Sequence, residues 1–197
     1  MDVSRETEAL LQRYADLIRK WNPAINLVAA GTLPELYQRH IEDSAQLFDL
    51  AHPIGGKWLD LGSGGGLPGI VIAILGRTLP LSVTLAESDR RKSAFLATVR
   101  RELRLDNVTV KAQRIEQLEI GNFDYVSARA LATLEDLLPM LFRQLARDGA
   151  AWLLKGRSWQ QEVEAARHHW SFDIETYQSI TDPESVVMKL RKIEPNA

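Results

Sequence analysis

Trp58-Leu59-Asp60-Leu61-Gly62-Ser63-Gly64-Gly65-Gly66-Leu67-Pro68-Gly69 is the stretch that decides the fold. A short apolar run carries an acid at Asp60, and glycine then fills Gly62–Gly66 apart from Ser63. Pro68 opens an apolar run of helix length, Leu67–Leu75. The pattern predicts a strand, a turn nearly free of side chains, and a helix N-terminus. In an open parallel sheet, that is where backbone N–H groups come closest to a ligand. A nucleotide-like cofactor is the first expectation.

Two cofactors compete for the turn. Gly64-x-Gly66-x-x-Gly69 fits the dinucleotide pattern, in which a helix N-terminus holds a pyrophosphate. The acid-x-Gly-x-Gly-x-Gly spacing of Asp60 to Gly66 fits better, and resembles the first motif of class I S-adenosylmethionine methyltransferases. The resemblance implies that Asp60 faces the cationic amino-acid end of that cofactor. A carboxylate there would repel a pyrophosphate. Glu87 ends the apolar run Leu81–Ala86 and predicts a carboxylate for the two ribose hydroxyls, a device that dinucleotide enzymes share.

Outward from the turn, the 197 residues suit a single unit, with Met1–Leu50 as an N-terminal helical cap and Ala51–Ala197 as the cofactor-binding core. A hydrophobic share of 45% and a charged share of 25% are those of a globular chain. There is no cysteine, which excludes disulfides, thiolate metal sites and any covalent cysteine adduct during methyl transfer, and predicts a cytoplasmic address. The polar Met1–Leu10 has no signal-peptide core, and no run is long enough to span a bilayer. No metal is expected: the adjacent His168 and His169 would point apart on a helix, with no third ligand evident. A net charge of −2 argues against gripping RNA through bulk charge alone.

Apolar spacing predicts a helix over Ser4–Trp21. Thr32-Leu33-Pro34-Glu35 has the pattern of a capping box, opening a second helix to about Leu50. Strands are then expected near 57–62, 81–87, 107–112, 123–128 and 150–155, with helices near 67–75, 90–104 and 134–147 and a loop at 113–122. Ser158-Trp159-Gln160-Gln161 has a second capping pattern, with a helix to about His169. Phe172–Ser179 and Val186–Ile193 alternate like two antiparallel strands. The fold class predicted is α/β: a Rossmann-like, seven-stranded, mostly parallel sheet with helices on both faces.

Further signatures accompany the glycine turn. They are Trp21-Asn22 with Asn26-Leu27; Arg39-His40-Ile41 with Asp43-Ser44; Leu67-Pro68-Gly69-Ile70; Ser127-Ala128-Arg129-Ala130; and Leu154-Lys155-Gly156. Together they resemble the RsmG/GidB family of bacterial 16S ribosomal RNA guanine-N7 methyltransferases, over about Trp21 to Gly156. The resemblance implies methyl transfer from S-adenosylmethionine to N7 of one guanine, nucleotide 527, in the small ribosomal subunit. By motif, cofactor positions fall on Gly62, Leu67, Ile115, Glu116 and Arg129, with Asp60, Gly64 and Glu87 completing the set. Glu87 departs from the aspartate common in the family, a one-methylene extension that keeps the same chemistry.

Guanine N7 carries an in-plane lone pair, so attack on a methyl group needs no general base. Positioning alone lowers such a barrier by about 7–11 kcal/mol. Arg129 and His40 are the catalytic candidates. Arg129 is expected to anchor the cofactor carboxylate, with guanine O6 or a phosphate as alternatives. His40 is expected to donate to phosphate or base, or else simply to pack. Arg39, Arg90, Arg91, Lys155 and Arg157 are the RNA candidates, and each also reads as a solvated surface charge. A monomer without a metal is expected. Methylation of another RNA or of a small molecule, a non-catalytic ribosome-assembly role, and an oxidoreductase remain as other readings, the last disfavoured by Asp60.

Overall fold

The computed structural model describes residues 3–196. Ser4 caps the first helix, α1 (Arg5–Ile25), its hydroxyl accepting from the Thr7 N–H. Leu11, Tyr14, Ala15 and Ile18 on one face are fully buried. The helix runs past the expected end at Trp21 and stops at Asn26 in the left-handed conformation. Asn22 fixes the exit of the chain from the helix: its side-chain carbonyl accepts from the N–H groups of Leu27 and Val28, at 2.7 and 2.8 Å.

Neither capping box forms. The Thr32 hydroxyl is turned back onto the Ala29 carbonyl oxygen at 2.8 Å. The chain instead enters a π-helical segment, Tyr37–Glu42, that leads directly into α2 (Asp43–Ala51). Ser158 donates to the Glu162 carboxylate rather than accepting from backbone, and α6 (Trp159–Ala166) ends before the two histidines. Both sequences offer a side-chain partner that competes with the cap.

The core alternates as predicted: β1 (Gly56–Leu61), α3 (Gly69–Leu75), β2 (Leu81–Ala86), α4 (Arg90–Leu103), β3 (Val108–Lys111), β4 (Phe123–Arg129), α5 (Leu134–Gln144) and β5 (Leu145–Lys155). The fifth strand begins at Leu145, inside the stretch expected to be helical. β6 (Trp170–Gln178) and β7 (Val186–Pro195) form the closing hairpin. The sheet order is β3-β2-β1-β4-β5-β7-β6, with β1 to β5 parallel and β7 antiparallel. Alternate residues feed two apolar layers. Trp58, Val83 and Val108 pack beneath α1 to α4, whereas Leu59, Val126 and Leu153 pack beneath α5 and α6. The order reverses direction between β1 and β4, the switch point at which open α/β sheets bind ligands.

Candidate active site

The glycine turn leaves β1 through positive φ at Gly62 (+62°), Gly64 (+53°) and Gly66 (+91°). At Gly66 a side chain would strike both Ile70 and the Tyr14 hydroxyl, at 2.5 and 2.9 Å. Tyr14 is fully buried on α1 and donates to the Gly65 carbonyl oxygen at 2.6 Å. The cap is thereby tied to the turn. No sequence signal marked Tyr14 beyond its place on the apolar face.

Asp60 is enclosed by its neighbours. Its carboxylate is fully buried beneath the turn. One oxygen accepts from the Ser127 hydroxyl at 2.7 Å and the other from the Gly69 N–H at 3.3 Å. Ser127 in turn accepts from the Trp58 indole N–H at 2.9 Å. Asp60 therefore braces β1 against β4 and the start of α3. Burial, only partly offset by these hydrogen bonds, pushes it up to about 6.

Glu87 stands at the end of β2 beside the turn. Its two oxygens accept from the N–H groups of Gly64 and Asp89, both at 2.7 Å. A carboxylate offers about four lone-pair positions, so two remain for a diol. Ile115 and Glu116 sit on a short 3₁₀ turn after β3, on the same side of the sheet order as Glu87. Leu67 is nearly buried before Pro68. These residues fit the sugar and base of a nucleoside without needing any side chain inside the turn.

A cleft of about 300 Å³ opens at the C-terminal ends of β4 and β5. Arg39, His40, Arg129 and Lys155, from three separate signatures, all line it. Leu131 lines it too and packs over Gly62, joining the cleft to the turn.

Arg129 pairs with Asp43 at 3.2 Å and donates to the Arg39 carbonyl oxygen at 3.1 Å. Its Nη1 is buried with no partner. That orphaned donor is what an incoming carboxylate would satisfy. Asp43 also accepts from Thr181 at 2.7 Å, Ser179 at 3.3 Å and Gln46 at 2.7 Å. It joins α2, β4 and the β6–β7 loop. Asp43 was visible only as part of a signature.

His40, expected either to donate to RNA or to pack, is packed against Thr32 in the structure. Its Nε2 meets the Thr32 hydroxyl at 2.7 Å, and its Nδ1 is buried without a partner. Burial first, then the charges of Arg129 and Arg39, lower its pKa to about 4. The ring is neutral at physiological pH.

Lys155 is corrected by the structure. It is 8% exposed, and its ammonium is committed to Glu162 at 2.7 Å and the Ala132 carbonyl oxygen at 2.9 Å. Glu162 had carried no sequence signal. Arg157 is exposed and pairs with Glu184 at 2.5 Å. Arg90 and Arg91, exposed at the start of α4, do not line the cleft, and Arg91 donates to the Ala24 carbonyl oxygen. Among the described residues, no cluster of three His, Asp or Glu side chains could hold a metal ion. No described helix is long and apolar enough to cross a membrane.

The family model for rRNA small subunit methyltransferase G, GidB, matches residues 7–188. The chain belongs to that family. A GidB-family relative named ribosomal RNA small subunit methyltransferase G, from Paracoccus denitrificans (strain Pd 1222), is 51% identical over 190 residues. That alignment covers 96% of this chain and 97% of the relative. The protein of the same name from Ruegeria sp. (strain TM1040) is 47% identical, covering 98% and 95%. Solved structures share the fold at lower identity. An RNA methyltransferase from Salinibacter ruber, in complex with S-adenosyl-L-homocysteine, gives a TM-score of 0.58 at 20% identity, covering 78% of this chain and 94% of that one. A putative S-adenosyl-L-methionine-dependent methyltransferase from Methanococcus maripaludis gives 0.62 at 11%, covering 100% and 98%. Among GidB proteins this chain is therefore a Rossmann-like methyltransferase that uses S-adenosylmethionine, of the class that modifies ribosomal RNA.

Proposed function

We propose that this GidB-family protein methylates N7 of one guanine, nucleotide 527, of 16S ribosomal RNA in the small subunit. It would do so as a cytoplasmic monomer without a metal. Residues 1–50 would act as the cap and 51–197 as the core of one folding unit. The observation that carries the reading is the unpaired Arg129 Nη1 on a residue that lines the cleft at the end of β4.

S-adenosylmethionine, when bound, supplies an electrophilic sulfonium methyl group. Gly62 and Gly64 would admit it by backbone alone, and Glu87 would accept from the ribose hydroxyls. Leu67, Ile115 and Glu116 would border the adenosine, and Arg129 would bond the carboxylate. Asp60, fully buried, would support the turn from beneath. No residue of the cleft has to remove a proton, since N7 attacks with an existing lone pair. His40, held neutral, adds no positive charge against the cation that develops on the purine. Arg39, Arg90, Arg91 and Arg157 would meet RNA phosphates, and Lys155 would hold the cleft wall through Glu162.

Small subunits from a strain lacking this gene, incubated with the protein and methyl-labelled S-adenosylmethionine, should acquire one label, recovered as 7-methylguanosine at the predicted position. Label in another base, or none, would overturn the reading. Naked rRNA and intact ribosomes in parallel identify the assembly state that is methylated.

A further inference from the structure

The hydroxyl of Thr32 has a single hydrogen, and it is donated to the Ala29 carbonyl oxygen at 2.8 Å. Toward His40 Nε2, 2.7 Å away, that oxygen can therefore only accept. On that assignment of the hydroxyl hydrogen, the neutral imidazole carries its own hydrogen on Nε2. His40 Nδ1 is left with a bare lone pair, buried and unpartnered beside the cleft that His40 lines. Other polar groups around the cleft are spoken for: Lys155 by Glu162 and the Ala132 carbonyl, Asp43 by Thr181 and Arg129, Ser185 by Asp182. The cleft thus carries one orphaned acceptor, His40 Nδ1, alongside one orphaned donor, Arg129 Nη1.

We propose that His40 determines base specificity, its Nδ1 accepting a hydrogen bond from N1–H of the target guanine. The proposal rests on guanine being the methylated base and deepens that assignment. Guanine presents a donor at N1, where adenine presents a lone pair. An acceptor locked in place therefore welcomes one purine and repels the other. The lock comes from Thr32: a histidine free to exchange tautomers could meet either base. Nδ1 is covered in the empty cleft, so the base reaches it only as the wall opens.

Three variants and three readouts test this. Reconstituted small subunits would carry either guanosine or 2-aminopurine ribonucleoside at the target position; the latter keeps N7 but has a lone pair at N1. The wild-type protein should prefer guanosine by about 100-fold in kcat/KM. His40→Leu should reduce that preference at least tenfold, and His40→Gln, which retains an acceptor, should restore much of it. Thr32→Val, which frees the tautomer without touching the ring, should also weaken it. Calorimetry should show S-adenosylmethionine affinity within about twofold of wild type in all three. Nitrogen-15 NMR of the wild-type imidazole should show the Nε2–H tautomer between pH 6 and 8. The proposal is overturned if the preference survives in His40→Leu and Thr32→Val, or if cofactor affinity falls tenfold in its place. The opposite tautomer also overturns it. No transfer by wild type to guanosine particles would instead bring down the underlying assignment, and this proposal with it.

Discussion

Asp43 and Arg129 lie 3.2 Å apart, and through this pair the π-helical entry to α2 sets the position of a guanidinium at the tip of β4. The Asp43 carboxylate is bonded on its other sides by Thr181, Ser179 and Gln46. Arg129→Ala therefore leaves Asp43 partnered, and unfolding in urea should show a loss of only about 1–3 kcal/mol. Methyl transfer should fall at least 100-fold, about the loss of one charge-assisted anchor, with weakened S-adenosylmethionine affinity by calorimetry. Wild-type turnover in this variant would show that Arg129 serves the structure alone.

Tyr14 reaches the glycine turn from α1. Tyr14→Phe deletes one hydroxyl and leaves the Gly65 carbonyl unpaired in a dry environment. Stability should drop by about 1–3 kcal/mol in denaturant titrations, accompanied by looser cofactor binding. Loss of stability with unaltered affinity would confine Tyr14 to packing.

Lys155 and Glu162 form a pair that is nearly buried on the lysine side. Lys155→Met leaves the Glu162 carboxylate with only the Ser158 hydroxyl and the Leu134 N–H and should destabilise by about 1–3 kcal/mol, whereas the double change with Glu162→Leu should recover part of it. A double-mutant cycle in urea measures the coupling. If Lys155→Met is instead as stable as wild type and only weakens RNA binding, the ammonium serves phosphate after all.

Asp60 links stability to pH. Its folded pKa, about 6, lies above the unfolded value of 3.8, so the native state holds the proton longer. Its contribution is present below about pH 4 and is lost as pH rises to about 6, by about 3 kcal/mol at 1.4 kcal/mol per unit. Asp60→Asn removes that slope. Relative to the variant, wild type should weaken across this window in urea titrations followed by circular dichroism. Parallel pH curves for the two proteins would show that Asp60 titrates normally.

Arg90 and Arg91 bear on RNA affinity. If they meet phosphates, changing both to Gln should reduce the dependence of log K on log salt by about 0.7–0.9 per lost contact. Filter binding to small subunits at several salt concentrations reads the slope. An unchanged slope would place the RNA surface elsewhere.

Much of this was legible from residue order. A strand, a glycine turn and a helix follow from local pattern, because backbone conformation and a two- or 3.6-residue period are short-range properties. Hence the alternation of β1 to α5 and the closing hairpin were predicted with small boundary shifts. The capping boxes were not, because Thr32 and Ser158 bond instead to Ala29 and Glu162, local partners that compete with the cap. Arg39 and Arg129 stand 90 residues apart in the chain, and both were named from their signatures along with His40 and Lys155. Their hydrogen-bonding states were hidden.

By itself, then, the sequence determined the parallel sheet, the side-chain-free turn and the kinds of chemistry on offer. Tertiary structure decided what each group does: Asp60 sealed under the turn, Lys155 spent on Glu162, and one nitrogen each of His40 and Arg129 buried without a partner. Burial and hydrogen-bond commitment are properties of neighbours, and neighbours across a sheet edge are set by crossover and register, which no single segment encodes.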